Sequence, residues 1–315
     1  MTTYHQPLPQ QQSGTLFLTD GGIETTLIFL EGLELPYFSA FHLLQDMSGR
    51  AALTRYYERH IGIAKGAGAG FVLESPTWRA SSDWGRKLGY SGDRIATVNR
   101  EAIRLMLELR SKHETTETPM VVSGCVGPRG DGYDVGRLMS PAEATAYHAH
   151  QIGAFAGAGA DLVTAITMTN ANEAIGVTRA AKVAGMPVVI SFTLETDGRL
   201  PTGQALHAAI EDVDAATDHA PAYFMINCAH PLHFQHVLAP APWMQRVRGI
   251  RANASKRSHA ELDAAPDLDA GDPTELGAHY AAIRNRFPWI NVLGGCCGTD
   301  HRHIEQICHA CKQAV

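Results

Sequence analysis

The sequence predicts a single-domain (β/α)8 TIM barrel with elaborated βα loops, and three observations carry that expectation. Eight short apolar, β-branched runs alternate with longer amphipathic stretches over 315 residues, a length that α/β barrels reach as one unit. A glycine stop recurs just ahead of several runs, in Ala67-Gly68-Ala69-Gly70, Ala158-Gly159-Ala160-Asp161 and Ala184-Gly185-Met186-Pro187. A repeated turn from helix into buried strand requires such a stop. No G-x-G-x-x-G follows the first run, which disfavours the doubly wound open sheet.

Taken in order, residues 1–13 are polar and Gln/Pro-rich, with no apolar run behind a basic start. They read as a flexible arm and not as a secretory signal, leaving 14–315 to the barrel. Strands are predicted at 16–19, 70–74, 120–123, 161–166, 188–193, 223–227, 248–252 and 291–294. Helical periodicity covers 50–65, 93–112, 141–158, 171–184, 275–287 and 303–312. The Ala/Asp/Pro-rich stretch 255–272, after the seventh strand, reads either as a long loop on the catalytic face or as a solvated insertion.

Hydrophobic residues make up 45% of the chain and charged residues 18%, so a large core forms and disorder is excluded. A net charge of −6 without a Lys/Arg block gives nucleic acid no footing, and the apolar runs are too short to span a membrane. The default is a cytoplasmic enzyme acting on small molecules; a homo-oligomer is compatible with the sequence.

The strongest chemical signal is Gly294-Gly295-Cys296-Cys297-Gly298-Thr299, directly after the eighth strand. Neighbours on a regular strand point to opposite faces, so a turn is needed to converge both sulfurs, and the glycines allow one. Asn227-Cys228 ends the sixth strand, and strand ends six and eight share one rim. Cys228, Cys296 and Cys297 therefore form a candidate three-thiolate Zn²⁺ site with one open position, the pattern of catalytic and not structural zinc. Taken alone, Cys228 reads as a small buried hydrophobe; the two segments together favour metal.

These residues resemble the homocysteine S-methyltransferase family. Gly294–Thr299 is similar to its C-terminal cysteine signature and Asn227-Cys228 to its upstream ligand motif. Thr19-Asp20-Gly21-Gly22 resembles its opening strand end, and Thr77-Trp78-Arg79-Ala80-Ser81 and Ser123-Gly124-Cys125-Val126-Gly127-Pro128 its second and third βα segments. The resemblance implies a zinc barrel that moves a methyl group from a small onium donor, of the S-methylmethionine, S-adenosylmethionine or betaine type, to the thiol of homocysteine, giving methionine. It gives Asp20 the role of holding the acceptor's amino group or ordering the site, against the plain reading of a turn-forming residue.

One departure stands out. Where the family carries a Glu after strand four, this chain reads Ala165-Ile166-Thr167, and Ile166 cannot bind an ammonium. Glu74, at the end of the second strand, becomes the candidate amine contact; otherwise the acceptor is not homocysteine, or Glu74 merely pairs with Arg79 or another rim cation. Glu24 is the weaker substitute, on a turn that reads as facing outward. Tyr37, Phe38, Phe41, Trp78 and Trp84 are candidates to cage a cationic donor, or simply pack in loops. His230 is a candidate second-layer donor behind Cys228, Cys125 a pocket-lining thiol, and Cys308/Cys311 a structural pair. Two rival functions stay open: a zinc hydrolase or lyase on the same barrel, which an all-thiolate site disfavours, and a non-catalytic zinc-binding protein with a closed fourth position.

Overall fold

The computed structural model describes residues 3–312 except 5, 13, 134 and 266. Its strands are β1 (Phe17–Leu18), β2 (Gly70–Glu74), β3 (Met120–Val126), β4 (Leu162–Met168), β5 (Val188–Thr193), β6 (Tyr223–Asn227), β7 (Val247–Ala252) and β8 (Val292–Gly295). Each pairs in parallel with the next. The ring closes where Phe17 lies between Gly70 of β2 and Val292 of β8. The (β/α)8 barrel is thus the observed fold.

The outer layer is built from α1 (Met47–Ala67), α2 (Gly92–His113), α3 (Pro141–Ala158), α4 (Ala171–Val183), α5 (Leu206–Thr217), α6 (Pro273–Arg286) and α7 (His301–Lys312). The glycine stops work as expected: Gly68, Gly159 and Gly185 all take positive φ at or just beyond a helix end. Side chains start the helices: Asp46, Ser91, Ser140 and Asn170 each accept a backbone N–H from the first turn. The periodicity missed α5, whose Ala/Asp-rich sequence carries few large apolar residues. Between β6 and β7 the described residues form only the short turns Pro231–Phe234 and Pro242–Arg246.

Inside the barrel the side-chain alternation separates two layers. Val72, Val121, Leu162, Val189 and Met225 point inward in the lower half, in one apolar cluster with Phe17 and Val292. Two residues further along the same strands stand Glu74, Ser123, Thr164, Ser191 and Asn227, and Arg251 follows Gly249 in the same way; all six are buried. The floor of the barrel mouth is therefore polar and sits on an apolar plug.

The N-terminal segment completes that plug. Leu8 is fully buried against the lower layer. Gln10 Nε2 donates to Tyr223 Oη (3.1 Å), while the Gln10 carbonyl accepts from Arg248 and Asn291 at 2.8 and 2.9 Å. The backbone N–H groups of Thr3 and Tyr4 donate to Asp161, itself paired with buried Arg110. Where the polar composition reads as a flexible arm, the described residues close the bottom of the barrel, because their amides satisfy groups at the strand starts. Residues 1, 2, 5 and 13 of that arm lie outside the described set.

Candidate metal centre

The two cysteine segments leave their strands in different ways. Cys228 follows β6 with φ of 51°, a left-handed conformation that turns its side chain off the strand's path. Cys296 and Cys297 follow β8 in a turn closed by Gly298 at φ 79°. A Cβ on Gly294 would fall on the Thr19 hydroxyl and one on Gly295 on Thr299, so the double glycine lets these segments close on each other. The Cys296 N–H donates to Ala252 O at 2.9 Å, and the Cys297 carbonyl accepts from Ala254 N at 3.0 Å.

As a result the three sulfurs of Cys228, Cys296 and Cys297 lie within 4.8 Å of one another. Tetrahedral ligation at a Zn–S distance of 2.3 Å separates sulfurs by about 3.8 Å, so the donor set fits a soft, thiophilic ion. Among the described residues no fourth His, Cys, Asp or Glu joins them, so the closed four-ligand site is not assembled by those groups. The Cys228 and Cys296 sulfurs lie in contact, with Cα atoms 5.4 Å apart. Ligation needs both as thiolates.

Residues that sequence reasoning assigned no role surround the sulfurs. Asn227 Nδ2 donates to Thr167 Oγ1 (2.9 Å) and lies 3.9 Å from Cys296 Sγ; its Oδ1 accepts from Thr167 N and from Ser191 Oγ. Thr167 takes φ of 67° where β4 slips register, which brings its Oγ1 to 3.8 Å from Cys228 Sγ. Tyr133 reaches over from the loop after β3. Its hydroxyl is 3.1 Å from Cys297 Sγ, and its ring stacks on His259 at 3.9 Å between centroids. The stretch 255–272 thus contributes a short helix, His259–Asp263, to the cover of the mouth. Only the strained β4 backbone and the stacking partner, both tertiary features, reveal these roles.

The carboxylates divide by partner. Asp20 is buried at the end of β1, ion-paired to Arg251 Nη2 at 2.8 Å and hydrogen-bonded by Tyr56 Oη at 2.9 Å. Arg251, unassigned from sequence, also donates to Gly295 O next to Cys296. Burial opposes its charge, but Asp20 and then Glu74 outweigh that and raise its pKa. Glu74 faces Arg251 without pairing to it, and its Oε2 has no hydrogen-bond partner. Burial pushes the Glu74 carboxyl up to about 7, against the opposing pull of Arg251 and the Ser123 and Thr164 hydroxyls. Arg79 pairs with Asp131 and not with Glu74.

Glu24 corrects its expectation of facing outward. It is half-buried, and its carboxyl is pushed up to about 7 by burial while sensing Asp20, Arg79 and Arg251, so it belongs to the mouth. Ile166 is buried and offers only its carbonyl, to Trp78 Nε1.

Other candidates stand outside the three-sulfur group. His230 accepts from Leu232 N as the cap of a short helix and packs beside His233 and His279. Cys308 and Cys311 are buried on α7, outside the cluster. Cys125 is buried at the mouth, sensing Glu74 and Arg251, with its thiol pKa raised by burial. The early rings already hold cations of the chain itself: Arg79 lies over Trp78 and Trp84, and Lys87 over Trp84 and Tyr37. Phe41 is buried against Tyr90.

Comparison with known proteins converges on this architecture. A homocysteine S-methyltransferase family model matches residues 17–311. Homocysteine S-methyltransferase 4 of Zea mays is 23% identical over 326 residues, covering 96% of this chain and 92% of that one. Among solved structures, the oxidized form of the homocysteine methyltransferase MmuM from Escherichia coli superposes with a TM-score of 0.72 at 19% identity, over 94% of this chain and 96% of that one. Its metallated form gives 0.68 at 19% identity, over 96% and 97%. With a family match running from β1 into α7, the chain belongs to the homocysteine S-methyltransferase family and is a methyltransferase.

Proposed function

We propose that the protein is a zinc-dependent S-methyltransferase that moves a methyl group from a small onium donor, of the S-methylmethionine, S-adenosylmethionine or betaine type, to homocysteine, giving methionine. Cys228, Cys296 and Cys297, as thiolates, would hold the zinc. The observation that carries this reading is the gathering of three sulfurs from two strand ends within 4.8 Å, without a fourth His, Cys, Asp or Glu among the described residues. When bound, Zn²⁺ supplies the positive charge that keeps a substrate thiol deprotonated at neutral pH. A cytoplasmic site of action goes with it, because a reducing compartment keeps these thiols available.

The chain's own residues bind and orient. Asn227 and Thr167 fix the sulfurs of Cys296 and Cys228, and Asp20 orders the mouth by locking Arg251. Since Arg251 already neutralises Asp20, Glu74, deeper in the mouth than half-buried Glu24, is the carboxylate assigned to the acceptor's ammonium, in place of the family Glu that Ile166 displaces. Holding acceptor sulfur and donor methyl in line removes the orientational part of the barrier. A mass-spectrometric screen of onium donors against homocysteine, with reduced zinc-loaded protein, tests the reading. Methionine is expected with at least one donor; no methyl transfer in any pairing at full zinc occupancy overturns it.

A further inference from the structure

Arg79 is set at the mouth with unusual firmness for an arginine. Its guanidinium lies 3.9 Å from the Trp84 ring centroid and 4.8 Å from that of Trp78, and its side chain is only 11% exposed. Nη2 donates to Asp131 Oδ2 at 3.1 Å, while Nε is buried with no acceptor. Asp131 is the looser partner, at 42% exposure.

Asp131 also belongs to the segment that covers the sulfurs. Its Oδ1 accepts from Tyr133 N at 3.0 Å, and the Tyr133 hydroxyl stands 3.1 Å from Cys297 Sγ. Between them Gly132 lies flat on the site: a Cβ there would come within 2.8 Å of Thr167 Cγ2 and 3.1 Å of the Trp78 ring. The Arg79–Asp131 ion pair is thus one of the contacts, with the Trp84–Gly130 hydrogen bond and the Tyr133–His259 stack, that hold the stretch carrying a phenol onto a sulfur of the centre.

We infer that Arg79 is the anchor for a carboxylate on the methyl donor, and that Asp131 occupies its guanidinium until that carboxylate arrives, so that donor binding frees the Tyr133 segment from Cys297. The inference rests on the S-methyltransferase reading, in which every donor type named carries a carboxylate, and it assigns the side chain that meets that carboxylate. A rigid guanidinium backed by indole favours a planar bidentate anion, and exchanging one carboxylate for another conserves charge at the site. Glu24 is the neighbouring carboxylate that senses Arg79. In the transfer itself the donor's onium–CH3 bond breaks, its electron pair stays with the departing thioether or amine, the acceptor sulfur takes the methyl group, and the thiol proton leaves to solvent.

The test compares S-methylmethionine with trimethylsulfonium, which lacks a carboxylate, using reduced zinc-loaded protein. Tryptophan fluorescence titrations without acceptor read binding at Trp78 and Trp84, and initial rates with homocysteine read KM. The wild type is expected to prefer S-methylmethionine. In Arg79→Gln the preference should shrink by about ten- to a hundredfold, the worth of one charge-assisted contact. Asp131→Asn should act in the opposite sense and tighten S-methylmethionine several-fold, a gain that a merely structural tether does not produce. An unaltered donor ratio in Arg79→Gln, or weaker donor binding in Asp131→Asn, overturns the inference. The two failures separate, because methyl transfer with an indifferent Arg79 removes only the anchor, whereas donor preference without any transfer removes the reaction.

Discussion

Arg251 and Asp20 form a buried ion pair at 2.8 Å, linking the end of β7 to the end of β1 beneath the cysteine segments. It fixes the charge of the barrel mouth: Asp20 is ion-paired, and Glu74 is not. Breaking the pair from one side should be costly. Arg251→Met is expected to lower stability by roughly 3–5 kcal/mol, since Asp20 is left charged, buried and unpaired. Adding Asp20→Asn should recover much of that loss. Urea melts of the four proteins in this cycle check it, and an additive double variant would refute the coupling.

Glu74→Gln is expected to weaken acceptor binding while raising stability above neutral pH. The sign follows from its carboxyl, pushed by burial up to about 7 from an ordinary 4.5. Below pH 4.5 the group is protonated in both folded and unfolded chains. Between 4.5 and 7 the folded state holds the extra proton, so stability falls as pH rises, and above 7 the full cost persists. The variant should therefore gain on the order of 1–3 kcal/mol at pH 8 and little at pH 4.5. Acceptor KM and thermal melts at both pH values measure the two effects; unchanged acceptor affinity would remove Glu74 from the binding site.

Metal content should follow the three sulfurs. Reduced protein is expected to bind one zinc per chain, and Cys228→Ser, Cys296→Ser and Cys297→Ser each to lose most of it. Elemental analysis after dialysis reads this directly, and stoichiometric zinc retained by any of the three variants would refute it.

Leu8→Ala opens a cavity at the bottom of the barrel, far from the sulfurs. A loss of about 2–5 kcal/mol is expected, with acceptor and donor KM unchanged. Denaturant melts beside steady-state kinetics check both halves, and an undisturbed melting curve would mean that the segment contributes nothing to the plug.

The strand pattern was legible because parallel barrel strands are short, apolar and β-branched, and because Gly68, Gly159 and Gly185 mark the returns from helix. Cys228, Cys296 and Cys297 were legible because two rare local sequences fall at ends of strands that share a rim. Arg251 was not, since a lone Arg after Ile250 looks like an edge residue until the ring closes around it. Tyr133 and Thr167 act through a loop trajectory and a register slip, neither of which has a local sequence signature. The role of Gln10 was hidden by the chemistry that made the arm look solvated: side chains that satisfy water also satisfy strand ends.

Ring closure through β1 and β8 bears on how this protein comes into being. β1 cannot close the ring until β8 exists, since Phe17 pairs with Val292 and Gln10 with Asn291. Two of the three thiols also follow β8 in the chain. A nascent chain lacking β8 has an open sheet and a single sulfur of the trio, so neither the closed barrel nor the three-sulfur group exists until β8 and the turn after it have been made.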